Sequence, residues 1–186
     1  MRPFLRPTAI AATLLLLSTP LIAQTAPEPS ADQILSQARA TAVAQHKNIL
    51  LAFSASWCGP CHMFEHFVAD PTIAPIMNKA FVIERLDVGE QPTDTKHHDT
   101  PGAVDLRAHL GGATAGYPYL IMLDPAGHPI VNSLRPDPKM PAGNNIGYPA
   151  IPVEIDWFMH MLQKAAPTLT PQDTATIHAW LTAHGS

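Results

Sequence analysis

The chain contains two cysteines, and both stand in Trp57-Cys58-Gly59-Pro60-Cys61, so any sulfur chemistry it performs happens there. Two thiols separated by two residues can form and break a disulfide, hold a metal, or bond to a haem. Position favours the first. The segment Asn48 to Ala55 is short, apolar and bounded by polar residues, as in a buried strand. From Cys61 to Val68, the spacing of Phe64, Phe67 and Val68 is helical. The pair therefore falls on a strand-to-helix turn with Cys58 at the helix start. Free amide hydrogens and the positive end of the helix dipole favour an anion there, and a thiolate is the anion on offer. Cys58 is thus the expected nucleophile. Cys61, one turn further in, is placed to attack a mixed disulfide on Cys58, and Gly59-Pro60 is expected to hold the turn and leave the first sulfur accessible.

Positioning that turn requires a surrounding sheet. The sequence predicts a helix over Ala31 to Gln45 capped by Ser30, the strand at 49–54, and the cysteine-bearing helix at 58–69. A short helix over Thr72 to Asn78 and a strand at 81–87 follow. Strands at 119–124 and 129–134 flank Pro125-Ala-Gly-His128, a good turn. Helices from Pro152 to about Lys164 and after Thr170 close the chain, the last with Thr170 as cap, Pro171 in first position and Asp173 in third. Residues 89–102 and 135–152 have no apolar period and read as long surface loops. The fold class expected is α/β: a central mixed β-sheet flanked by helices, with an extra C-terminal helix.

Length and a 46% share of hydrophobic residues suit one domain with a sizeable core. Arg2 and Arg6 precede an apolar run from Ala9 to Leu17 and then Leu21-Ile22-Ala23, which reads as a secretory signal peptide over 1–23, too short to span a bilayer. Residues 24–30, with Pro27 and Pro29, read as a flexible lead-in to a domain over 31–186. Removing 1–23 takes away two arginines and no acid, moving the net charge from −4 to −6. That charge gives no support to nucleic-acid binding. The mature chain is expected in the periplasm, without stable membrane insertion.

An oxidising compartment also permits a purely structural disulfide, but a bridge across two residues closes a tiny loop and constrains the unfolded chain least. Cys58-Gly-Pro-Cys61-His62 also spells the haem attachment motif, which would consume both sulfurs and sits poorly behind an apolar strand. Cys58, Cys61, His62 and His66, with His97 and His98 elsewhere, offer donors suited to copper or zinc. A redox-inert binding module is the remaining alternative, and it has no need of a second thiol. No cofactor is expected.

Trp-Cys-Gly-Pro-Cys after a buried strand, Asp70-Pro71-Thr72-Ile73 leading to Phe81–Asp87, and Gly116-Tyr117-Pro118 before Tyr119–Asp124 together resemble the thioredoxin superfamily. The likeness covers residues 31–134 and is strongest to secreted members related to the C-terminal domain of transmembrane thiol reductases. It implies a thiol-disulfide oxidoreductase serving cell redox homeostasis, with Cys58 and Cys61 catalytic and Trp57, Gly59, Pro60, Tyr117 and Pro118 contacting substrate. Trp57 would sit on the rim of the site. Pro118 would have a cis peptide bond and face the disulfide, and Tyr117 would matter through its backbone more than its ring. The implied partners are exported proteins carrying disulfides or dithiols, with a transmembrane thiol reductase as electron donor. Gly-Pro between the cysteines resembles reducing members, whose potential lies near about −270 mV, so reduction is the expected direction.

The resemblance breaks at one position. Where cytosolic thioredoxins bury an aspartate five residues before the tryptophan, this chain has Ala52, so another group or water must take the proton of Cys61. His62 and Glu65, four residues after Cys58 and Cys61, could approach the sulfurs. A histidinium would lower the Cys58 pKa and a carboxylate would raise that of Cys61; equally, both side chains could simply be solvated. Met63, Phe64 and Phe67 are most simply core.

Overall fold

The structure, a computed structural model, describes residues 28–185. The expected leader, and the lead-in as far as residue 27, lie outside them. Strand β1 (Asn48–Ser54) alternates its side chains between two faces, Ile49, Leu51 and Phe53 to one and Leu50, Ala52 and Ser54 to the other. Both faces are apolar, so β1 must lie inside the sheet. It pairs in parallel with β2 (Phe81–Asp87) and antiparallel with β3 (Tyr119–Leu123), and β4 (Pro129–Asn132) completes the order β2-β1-β3-β4. A parallel pair needs a long crossover, here α2 (Gly59–Ala69) and α3 (Ala74–Ala80). That crossover begins with the two cysteines.

Helices α1 (Ala31–Gln45) and α4 (Ala103–His109) cover the face bearing Ile49, Leu51 and Phe53. The other face packs against α2, α3, α5 (Pro152–Ala165) and α6 (Pro171–His184), through Phe64, Phe67, Met77, Phe158, Leu162 and Ile177. The start of α1 is a reciprocal cap: Gln33 N–H donates to Ser30 Oγ, and Ser30 N–H donates to Gln33 Oε1. The expected α/β fold with its extra C-terminal helix is what forms.

Three stretches differ from expectation. The short helix expected over 72–78 runs instead from Ala74 to Ala80, because the Thr72 amide donates to Asp70 Oδ1 at 2.7 Å and holds a turn there. Helix α4 was not foreseen: it is only two turns long, and its buried contacts are few. Most of the expected loop over 135–152 is an antiparallel ribbon of β5 (Leu134–Asp137) and β6 (Met140–Asn145). Pro136 and Pro141 argue against strands inside a sheet, but a two-stranded ribbon has open edges on which proline is tolerated.

Helix α6 is tied to α3 by a buried carboxylate. Asp173 Oδ2 accepts from the Thr170 amide and hydroxyl, closing the expected cap, while Lys79 Nζ donates to Oδ1 at 2.8 Å. The Lys79 hydrogen bond and then those from Thr170 hold the Asp173 pKa down to about 2. A depressed carboxylate pKa contributes stability above the unfolded value, lost as pH falls through the folded one. Asp173→Asn is therefore expected to lower stability at pH 5 and above, with the difference from wild type shrinking between about pH 4 and pH 2. Urea unfolding of both proteins across that range checks this; a constant difference would show that the carboxylate charge is not responsible.

Candidate active site

Cys58 is the N-cap residue of α2, with extended backbone at φ −86° and ψ 107°, and Pro60 lies in the first turn. Cys58 and Cys61 are joined by a disulfide, their Cα atoms 5.2 Å apart. The Cys61 amide, which also donates to Cys58 O at 3.1 Å, donates to Cys58 Sγ at 3.2 Å, so a backbone N–H of the helix start points at the first sulfur. Opening of the bond would leave a thiolate where the helix end favours negative charge.

Around the disulfide, Gly59 and Pro60 are exposed and Trp57 is 52% exposed, forming the rim. Tyr117 and Pro118, far away in the chain, arrive on the loop before β3. The Tyr117–Pro118 peptide bond is cis, and Pro118 is buried and lines the same small void as Cys61. The structure thus brings all seven residues expected at the site into one neighbourhood.

The first sulfur is less open than its turn suggests. Cys58 is only 4% exposed, in a buried cluster with Ala55 and Cys61 against which the Tyr117 side chain packs. Trp57 meets the Tyr117 ring edge-on at 5.7 Å, and the Arg107 guanidinium lies over the same ring at 5.0 Å from its centroid. The ring is therefore packed into the site from three sides. Its hydroxyl fits against Gly89, which has φ +73° and where a Cβ would overlap the phenol oxygen. Removing this cover in Tyr117→Ala is expected to speed reduction of the disulfide by dithiothreitol severalfold. Stopped-flow tryptophan fluorescence would measure it, and an unchanged rate would show that the ring does not limit access.

A clamp that the sequence did not reveal fixes the turn before Cys58. Glu90 accepts from both the amide and the hydroxyl of Ser56 at 2.6 Å, and the Trp57 indole N–H donates to Gly89 O at 2.9 Å. Asp99 in turn accepts from the Glu90 amide, and Thr100 bonds to Asp87 through both its amide and its hydroxyl. The long loop over 89–102 is therefore tied down along the edge of the site. Opposite it, Asn145 of β6 donates to the carbonyls of Gly116 and Pro118, which flank Tyr117. No periodicity marks Glu90 or Asn145, and only the folded chain brings them to the site.

His62 and Glu65 make no hydrogen bond to either sulfur among the described residues. His62 Nε2 donates to Ser56 O at 2.8 Å, and its Nδ1 lies 3.4 Å from Glu65 Oε2. The other Glu65 oxygen faces Arg85 at 3.0 Å, and Arg85 also pairs with Asp87. Desolvation by partial burial raises the Asp87 pKa, against the opposing attraction of Arg85. Met63 is not core but half-exposed beside Pro60, whereas Phe64 and Phe67 are buried. Among the described residues, no three His, Cys, Asp or Glu side chains are grouped to hold a metal, so the cysteines and the helix histidines do not converge on one centre.

A groove of about 530 Å³ runs from Pro60 and Met63 past Tyr117 to the β5–β6 ribbon. Among the described residues, no helix is long and apolar enough to cross a membrane.

Residues 31–125 match the family model described as thioredoxin-like. No curated protein matches the chain significantly. Among solved structures, a disulphide isomerase from Xylella fastidiosa Temecula1 is 17% identical, with a TM-score of 0.49, over 90% of this chain and 98% of that one. A DsbH oxidoreductase is 17% identical at a TM-score of 0.44, over 82% and 95%. The DsbD C-terminal domain of Neisseria meningitidis, in its oxidised form, is 19% identical at 0.33, over 57% and 87%.

Proposed function

The chain belongs to the thioredoxin-like family, and from that premise we propose that it is a periplasmic thiol-disulfide oxidoreductase that reduces disulfides in exported proteins. The observation that carries this reading is the Cys58–Cys61 disulfide on the N-cap of α2, with a helix amide aimed at Cys58 Sγ and the Tyr117-Pro118 loop beside it. In the proposed cycle, Cys58 thiolate attacks a substrate disulfide and one substrate sulfur leaves as thiol. Cys61 then attacks Cys58 Sγ, releases the second substrate thiol and regenerates the intramolecular disulfide. Trp57, Gly59, Pro60, Tyr117 and Pro118 form the surface on which the substrate chain lies. A transmembrane thiol reductase is the proposed source of electrons for the next turnover, and residues 1–23 the leader that exports the chain.

Reduction of a disulfide-bonded secreted protein, with dithiothreitol as electron source, tests the activity directly. The rate should rise in proportion to added protein and fall to the uncatalysed level in Cys58→Ser. A rate that does not depend on the added protein would remove the proposal.

A further inference from the structure

The groove of about 530 Å³ beside the redox turn opens from Pro60 and Tyr117, two residues of the disulfide's own rim. Along it runs β6, whose residues from Met140 to Asn145, Pro141 excepted, contribute to the lining. Six extended residues span roughly 20 Å, so the groove has room for a stretch of polypeptide and not for one side chain alone. The ribbon lies outside residues 31–125, the part of the chain that carries the family likeness. This wall is an addition to the shared fold.

The lining is mostly apolar. Leu134, Ile146 and Tyr148 contribute to it, and Met63 and Met140 stand at it with 37% and 46% of their surface exposed. Its polar groups are largely engaged within the protein. Asn145 donates to the carbonyls of Gly116 and Pro118 and accepts from Ser133 Oγ, while Glu154 Oε2 accepts from the amides of Ala150 and Ile151. Glu154 is the one charged side chain among the described lining residues. Large apolar side chains left in water along a cleft mark a place where something is covered, and methionine, unbranched and adaptable, suits an occupant of varied shape.

We propose that this groove is the subsite that holds an extended, apolar segment of the substrate polypeptide next to its reacting cysteine, with Met140 as a specificity-determining residue. The proposal rests on the redox reading of the pair given above. Continuity identifies the occupant: a chain whose sulfur is bonded to Cys58 lies against the exposed Gly59-Pro60 turn, and the groove begins at Pro60 and Tyr117. In an extended segment every second side chain points the same way, so alternate residues enter the groove. A leucine, phenylalanine or methionine there leaves water for an apolar lining and is favoured. A polar side chain leaves water for groups already engaged, and is disfavoured. Such apolar stretches are buried once a chain has folded. The preferred substrate is therefore a non-native exported protein whose disulfide lies within an apolar stretch.

Two cyclic peptides test this, each closed by one disulfide and identical except at the residues flanking the cysteines, which are leucine in one and the similarly shaped asparagine in the other. The protein is reduced, freed of reductant and mixed with each peptide, and the second-order rate of peptide reduction is read by chromatography after acid quenching. Each rate is divided by that of dithiothreitol with the same peptide, which removes differences in the peptides' own reactivity. Wild type is expected to prefer the leucine peptide roughly tenfold, as partial burial of that side chain should give. Met140→Asp should bring the preference down to about twofold or less, because a carboxylate in the groove resists losing its water. Met140→Leu, which keeps the apolar surface, should stay near wild type. Equal rates for the two peptides with wild type, an unchanged preference in Met140→Asp, or an equal fall in Met140→Leu would each overturn the proposal. A wild-type protein that reduces neither peptide would instead sink the redox reading on which it rests.

Discussion

Replacing Cys61 by serine is expected to turn the protein into a covalent trap. Cys58 keeps its helix-start position in this variant and can still attack a substrate disulfide, but nothing then displaces the substrate, so nearly all of the variant that reacts stays in mixed disulfide. Cys58→Ser is expected to trap almost nothing, because Cys61 is 1% exposed and lies one turn into α2. Expression of each variant with its leader, followed by acid quenching and non-reducing electrophoresis, separates the two outcomes. Mass spectrometry of the trapped species would then identify the substrates. Equal trapping by both variants would reverse or merge the assigned roles.

Phe67→Ala is expected to be the most damaging core substitution of the helix that carries the cysteines. The ring is fully buried, with Trp180, Phe158 and Phe64 at centroid distances of 5.2, 5.8 and 6.0 Å, so it links α2 to α5 and α6. Truncating a buried phenylalanine removes its transfer free energy and leaves a cavity, together about 3–5 kcal/mol. Folded domains have only about 5–15 kcal/mol in total. A urea midpoint that falls by the corresponding amount, with the slope unchanged, is the expected result. A loss under about 1 kcal/mol would mean that the three neighbouring rings repack and that α2 is held by other contacts.

The local part of this site was legible in the sequence because its signals are local. An apolar strand, two cysteines and a helical run are consecutive, so their order fixes the turn, and β2 falls where its residues predicted it. The Thr170-Pro171-Asp173 start of α6 was legible for the same reason. Pro118 is different: nothing in spacing connects it to Cys61, and only the family resemblance placed it there. The role of the Tyr117 ring, the Glu90 clamp and the hold of Asn145 on the neighbouring carbonyls were not legible. Each depends on a contact between residues distant in sequence whose types occur equally in ordinary loops. The β5–β6 ribbon was missed because its prolines forbid a central strand and a free ribbon is the exception. Met63 departs from the core that its apolar neighbours Phe64 and Phe67 join, because the groove beside it leaves that edge of α2 uncovered.

The central claim is that these two sulfurs join and separate reversibly. Equilibration with mixtures of reduced and oxidised glutathione, followed by acid quenching and alkylation of free thiols, measures this directly. The account predicts one reversible two-electron transition, with a midpoint nearer the roughly −270 mV of reducing thioredoxins than the roughly −120 mV of a strong oxidant. A pair that stays fully oxidised or fully reduced across the whole range, exchanging with glutathione at no ratio, would contradict it.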